Sequence, residues 1–206
     1  MTEIITNKDE YFTPDSEAKA ELKVKGSKFI ARIIPISSKE DSEKKYAEIK
    51  KRYYDATHNC FAYRLNANIF RYSDNGEPSG TAGKPIFQII ESAGLNEVLC
   101  VVTRYFGGTK LGTGGLIRAY SEAAKLAVSN TKIKIKVYTK SLSLHFNYEL
   151  ENLVRKTINE FKGIIADSDY SDHIIMNVDI PRSKQEIFKT KLTELSNSTI
   201  KIAAEK

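Results

Sequence analysis

Val98-Leu99-Cys100-Val101-Val102-Thr103-Arg104-Tyr105-Phe106-Gly107-Gly108-Thr109-Lys110-Leu111-Gly112-Thr113-Gly114-Gly115-Leu116 reads as three things in succession: a strand, a glycine-rich turn and the opening of a helix. The run from Glu97 to Tyr105 is too apolar for a half-exposed strand, so burial on both faces is expected. From Leu116 to Val128 the residues Leu116, Ala119, Tyr120, Ala123, Ala124 and Ala127 recur on one helical face. A glycine turn between a strand and a helix N-terminus can present backbone N–H groups to an anion, and the helix dipole favours negative charge there. Gly107, Gly108, Gly112, Gly114 and Gly115 with Thr109 would form that cradle, and Arg104, Lys110 and Arg118 add cations around it. The alternative is that these glycines only shape tight turns.

Nine of the eleven glycines lie between Gly76 and Gly115, and all of these but Gly94 fall in two clusters. The earlier cluster is Ser73-Asp74-Asn75-Gly76-Glu77-Pro78-Ser79-Gly80-Thr81-Ala82-Gly83-Lys84-Pro85. Neither cluster is a named nucleotide fingerprint. A P-loop ending at Gly83-Lys84 would need glycine at Pro78 and Ser or Thr at Pro85. A dinucleotide motif starting at Gly112 would need Gly or Ala at Ile117. Asp74 and Glu77 are turn residues or, less simply, cation ligands, and no third ligand stands in register, so no metal is expected. Ser79, Thr81 and Lys84 are candidate donors to a phosphate, with helix capping as the alternative for Thr81.

Working outward, Glu17–Ile36 reads as two strands turning at Lys25-Gly26-Ser27, and Ser38 with Asp41 caps a helix over Lys39–Tyr54. Thr57–Leu65 is a strand, and Ile86–Ala93 a short helix stopped by Gly94. Residues from Met1 to about Pro14 are polar and expected to fray. After Asn130 a Lys/Ile alternation leads into strand Lys140–Tyr148, helix Glu149–Lys162, strands Ile164–Tyr170 and His173–Ile180, helix Lys184–Leu195 capped by Ser183 and Glu186, and strand Thr199–Ala203. That order, βαββαβ, is a ferredoxin-like split unit. The fold class is therefore α+β in two domains, 1–134 and 135–206, with the boundary near Thr131–Tyr138.

Hydrophobic content of 41% and charged content of 28% exclude wholesale disorder. The apolar run Val98–Val102 is far short of the roughly 20 residues that span a bilayer, and the N-terminus has neither a basic n-region nor an apolar core. With only two cysteines, a reducing, cytoplasmic setting without membrane association is expected. The net charge of +6 divides evenly, 19 basic and 16 acidic residues through Asn130 and 13 and 10 after it, which permits contact with phosphates without requiring it.

Catalytic candidates are few. Cys60 and Cys100 lie among strand residues and read as core thiols. His58, His145 and His173 have no zinc-type spacing. His58 at a strand start is a general base or a histidine that satisfies backbone groups; with Asp74 and Glu77 it makes the acid/base set of an enzymatic reading. Tyr53, Tyr54, Tyr63, Tyr72 and Tyr105 lie close to Arg52, Arg64, Arg71 and Arg104, a pattern that suits stacking on single-stranded bases or half-buried strands.

Ala56-Thr57-His58-Asn59-Cys60-Phe61-Ala62-Tyr63-Arg64, the Ser73–Pro85 cluster and Val102–Tyr120 together closely resemble the YigZ/Impact family. The likeness covers about Tyr11 to Lys132, and the remainder resembles the smaller C-terminal domain of bacterial members. Asn75 departs from the family pattern, where many members carry a second Asp. The resemblance implies an N-terminal βαβ domain similar to domain IV of elongation factor G, and a ferredoxin-like domain similar to the last domain of that factor. Eukaryotic members of the family regulate translation by antagonising activation of an initiation-controlling kinase. They do so through an additional N-terminal domain without counterpart in these 206 residues, so that partner is not carried over. For bacterial members the resemblance implies association with nucleic acid or the ribosome.

The leading expectation is thus a non-enzymatic factor that binds RNA or a ribosomal surface, without cofactor. Its groove would draw charge from Arg64, Arg71, Lys84, Arg104, Lys110 and Arg118. The alternative is a hydrolase or transferase acting on a phosphate-bearing substrate. A third class is an adaptor whose C-terminal domain docks on a protein partner.

Overall fold

A computed structural model describes residues 9–204. They divide into a larger unit, residues 11–136, and a smaller one made of residues 137–204 with Asp9 and Glu10. The chain is a two-domain α+β protein. Along it run β1 (Glu10–Pro14), β2 (Ala18–Val24), β3 (Ser27–Pro35), α1 (Lys39–Arg52), β4 (His58–Arg64), β5 (Phe70–Ser73), α2 (Gly83–Ser92), β6 (Val98–Tyr105), α3 (Gly112–Ser129) and β7 (Ile133–Val137). There follow β8 (Thr139–Phe146), α4 (Glu151–Glu160), β9 (Ile164–Tyr170), β10 (Ile174–Pro181), α5 (Gln185–Leu195) and β11 (Lys201–Ala204).

In the larger unit five strands pair in the order β2-β3-β6-β4-β5, every neighbour antiparallel. Because β3 and β4 both run antiparallel to β6, they are parallel to each other, and β3–α1–β4 is a βαβ unit split by β6. Burial of β6 on both faces follows from this central place. Val98, Cys100 and Val102 join the core beneath α2 and α3, while Leu99 and Val101 join the cluster that Ile49 of α1 covers. The N–H of Asp41 donates to Ser38 Oγ (3.1 Å), and the Asp41 carboxylate accepts in return from the backbone of Ser37 (3.0 Å).

Two local expectations are corrected. Met1–Lys8 lie outside the described residues, but Glu10–Pro14 is a strand and not a frayed end: β1 pairs with β7, where the Lys/Ile alternation supplies a partner. Ser183 does not cap α5. Its backbone N–H donates to Asp9 Oδ1 (2.9 Å) and its hydroxyl to Asp9 Oδ2, so the buried carboxylate takes the groups that would have served the helix.

The smaller unit has the element order βαββαβ and an antiparallel sheet of order β11-β8-β10-β9. Leu142, Leu144, Ile174, Met176 and Val178 point from it into a core with Val154, Ile158, Phe188 and Leu192. Among the described residues no helix is long and apolar enough to cross a membrane.

Candidate anion-binding cleft

The register of β4 against β6 sets His58 opposite Arg104 at the same end of the sheet. Both glycine clusters converge there. A cavity of about 320 Å³ in the larger unit is lined by His58, Glu77 and Pro78 on one side and by Arg104, Phe106, Lys110 and Gly112 on the other.

The first cluster is organised by Asp74. Its carboxylate accepts the N–H groups of Gly80 (2.9 Å), Ala82 (2.9 Å) and Gly83 (2.8 Å), closing the loop and capping the start of α2. Three N–H groups thus occupy three of the roughly four acceptor sites of this carboxylate and make it the organising centre of the loop. Thr81 is buried, and its hydroxyl donates to the Pro78 carbonyl (2.6 Å) and does not cap α2. Gly76, at φ +89°, takes a left-handed conformation, and a Cβ there would lie 3.2 Å from the His58 ring. The loop thereby seats the imidazole, whose Nδ1 donates to the Asn75 carbonyl (2.9 Å). Asn75 Oδ1 accepts from the N–H of Asn59 (2.9 Å), a bond that a carboxylate at this position would also accept.

Glu77 is buried and accepts at Oε1 from Arg104 Nη1 (2.6 Å) and the Tyr120 hydroxyl (2.8 Å). Burial and the neighbouring acidic groups push the Tyr120 hydroxyl far above its ordinary range, so it stays a donor. Arg104 is equally fixed. Its Nη2 donates to Ser27 Oγ (3.3 Å), and its guanidinium lies 5.5 Å from the Phe29 ring centre and 5.7 Å from that of Phe106. Expected as a free cation for phosphate, Arg104 is instead neutralised by Glu77 in the cleft wall. Burial pushes the Cys60 thiol up to about 12, which keeps it inert behind the wall, where it donates to the Asp74 carbonyl (2.9 Å).

The second cluster forms the opposite rim. Gly107 packs against the β2–β3 turn so closely that a Cβ would sit 1.8 Å from the Gly26 carbonyl carbon. It is a packing glycine. Gly108 and Gly112 have positive φ and open space where a side chain would be. Gly114 and Gly115 lie in the first turn of α3, whose N-terminus receives no side-chain cap, so its first N–H groups are available. Thr109 and Lys110 are exposed on the intervening turn.

The remaining candidates do not join this cleft. Arg64 sits at the far end of β4, six residues and roughly 20 Å from His58. Arg71 on β5 lies 3.9 Å from Glu43. Arg118 faces a separate cavity of about 520 Å³ with Leu22, Val24 and Lys25. Lys84 and Ser79 are exposed beyond the cleft lining. Among the described residues no group of three or more His, Cys, Asp or Glu is placed to hold a metal ion. Residues that the sequence reading left unassigned, Tyr120, Phe106 and Ser27, hold the wall together. A lone tyrosine hydroxyl within the alanine stripe of α3 was the available signal, since a buried hydroxyl needs a partner.

Fold and cleft together define a two-domain α+β protein with a cleft at the glycine-rich N-terminus of a helix. Residues 25–128 match the Impact N-terminal domain, and residues 144–199 match a domain of unknown function, DUF1949. IMPACT family member YvyE of Bacillus subtilis is 31% identical over 189 residues, 91% of this chain and 87% of that one. A family member from Haemophilus influenzae is 32% identical over 197 residues, 94% of this chain and 96% of the relative. YigZ of Escherichia coli is 30% identical over 185 residues, covering 88% and 91%. A solved structure titled as the crystal structure of an hypothetical protein superposes with a TM-score of 0.71 at 27% identity, over 97% of this chain and 99% of that one. The chain belongs to the IMPACT family.

Proposed function

We propose that this protein is a non-enzymatic factor that binds single-stranded RNA, free or on a ribosomal surface, in the cytoplasm, and so acts on translation. One observation carries the reading: the two glycine clusters meet around one cleft, where Lys110 and the uncapped N-terminus of α3 offer positive charge and N–H donors. Phe106, 48% exposed at the rim, offers a face on which a base can stack. In the same reading the split β3–α1–β4 unit is the counterpart of elongation factor G domain IV. The order β11-β8-β10-β9 supports, in that reading, a likeness of the smaller unit to the ferredoxin-like last domain of that factor. These likenesses support a ribosomal partner.

The test is fluorescence anisotropy with a short labelled single-stranded RNA across a salt series. Affinity should fall as salt rises, and Lys110→Ala should lessen the slope of log affinity against log salt by about 0.7, the contribution of one phosphate contact on a single strand. Binding that ignores both salt and Lys110 would sink the proposal. The His58 and Glu77 atoms that face each other across 4.0 Å favour a second reading, acid/base chemistry on a phosphate-bearing substrate. Turnover of RNA or a nucleotide, lost in His58→Ala, would decide for it.

A further inference from the structure

The floor of the cleft carries two hydrogen-bond acceptors side by side. The Asn75 carbonyl has only lone pairs, so the His58 Nδ1 that lies 2.9 Å from it bears the hydrogen. In the Nδ1–H tautomer the imidazole presents its lone pair at Nε2. Gly76 fixes the ring from the other side, since a Cβ there would crowd Nδ1 and Cε1 at 3.2 Å. Glu77 has both its bonds at Oε1; among the described residues Oε2 accepts none, and it stands 4.0 Å from Nε2. Arg104 neutralises the carboxylate while turning Oε2 towards the histidine.

Two acceptors with no donor between them repel a phosphate oxygen or a base carbonyl, which bring only lone pairs. They are matched by a group with two hydrogens on neighbouring atoms. A cis-diol is such a group: one hydroxyl donates to Nε2 and its neighbour to Oε2. The positive features lie on the opposite rim, at Lys110 and the start of α3, so a ligand with a phosphate at one end and a diol at the other fits both. The cavity, about 320 Å³, is at the lower end of small-molecule pockets and has room for about one nucleotide.

We infer that the cleft takes the 3′-terminal nucleotide of an RNA strand, whose 2′,3′-diol is received by His58 Nε2 and Glu77 Oε2. The inference rests on the reading of this cleft as a single-stranded RNA site and gives that site an end specificity. An internal ribose has its 3′ oxygen esterified and offers only one of the two hydrogens, and a deoxyribose end likewise offers one. A site whose acceptors are left unfilled discriminates strongly against the analogue that lacks the donor.

The experiment compares, by anisotropy on the full chain, one RNA sequence with four ends: the native 3′ ribose, a 2′-deoxy end, a 3′-deoxy end and a 3′-phosphate. The native end should bind about tenfold more tightly than each of the others, the effect of one hydrogen bond to a strong acceptor. In His58→Ala the preference over one of the two deoxy ends, whichever lacks the hydroxyl that donates to Nε2, should shrink to within about twofold while the preference over the other persists. A ¹⁵N spectrum of the unliganded protein gives a check that needs no variant: His58 should be the neutral Nδ1–H tautomer. Equal binding of all four ends, a preference that follows the identity of the terminal base and its amino group, or a hydrogen on Nε2 would each overturn the inference. If none of the four RNAs binds, it is the RNA reading of the cleft that fails, a different result from equal binding.

Discussion

Glu77 joins three parts of the chain that sequence keeps apart. Its carboxylate takes Arg104, 27 residues on, and Tyr120, 43 residues on, and both bonds are buried. Removing one partner of a buried ion pair strands the other, so Glu77→Ala should cost about 3–5 kcal/mol of unfolding free energy. Tyr120→Phe, which removes one of two donors, should cost only about 1 kcal/mol. Urea denaturation followed by circular dichroism distinguishes the two, and equal small losses would show that the pair is not buried in solution. From sequence, Glu77 is a turn residue or an acid/base candidate, because the spacing Asp74-Asn75-Gly76-Glu77-Pro78 describes only the local turn. The role of a buried carboxylate depends on partners that only the sheet register brings near. The place of His58 at a strand start next to a turn was legible, but its tautomer depends on the Asn75 carbonyl, which no side-chain pattern encodes.

Elements were more legible than sites. β6, α3 and the βαββαβ series could be read because burial imposes periods of about 2 and 3.6 on the apolar residues. β1 could not, since five residues with Tyr11, Thr13 and Pro14 buried mix polar and apolar side chains without a clear period, and its partner β7 is exposed at every position despite its Lys/Ile alternation. The β2–β3 hairpin carries a charge cluster that makes a pH prediction. Glu21 accepts from Lys19 (2.7 Å) and Lys28 (2.9 Å), and those two ammonium groups hold its carboxyl down at about 2. A lowered folded-state value stabilises the fold above the ordinary glutamate range, near 4.3, and the gain is lost as pH falls towards about 2. All three side chains are about 40% exposed, so solvent screens the cluster and its worth stays below about 1 kcal/mol. Glu21→Gln should therefore be slightly less stable than the parent at neutral pH in low salt. The gap should close both near pH 2 and in high salt. A gap that persists in acid would mean that the glutamate acts through packing.

At the scale of the whole molecule, each hydrophobic cluster lies within one of the two units. The sheet of the larger unit is covered by two clusters and the smaller unit holds a third, with no residue in common. Phe188→Ala, which empties a fully buried ring from the smaller core, should cost that unit about 3–5 kcal/mol. Hydrogen exchange read by mass spectrometry should then show faster exchange in β8–β11 and unchanged protection in β3, β4 and β6. Loss of protection in both would mean that the units unfold as one. That the chain holds two domains was legible as a change of composition after Asn130. The placement of Asp9 with the smaller unit was not, because a single acidic residue near a terminus carries no pattern.

That placement has a consequence in time. Asp9 leaves the ribosome before every residue of the larger unit, yet the Ser183 groups that satisfy its buried carboxylate are 174 positions further on. At roughly 5–20 residues per second, synthesis takes roughly 10–35 s to cover that span. Residues 11–136 are complete well before then, so the larger unit can fold while the smaller one still waits for most of its chain. Vectorial synthesis thus leaves Asp9 without its Ser183 partner until the larger unit has long been complete.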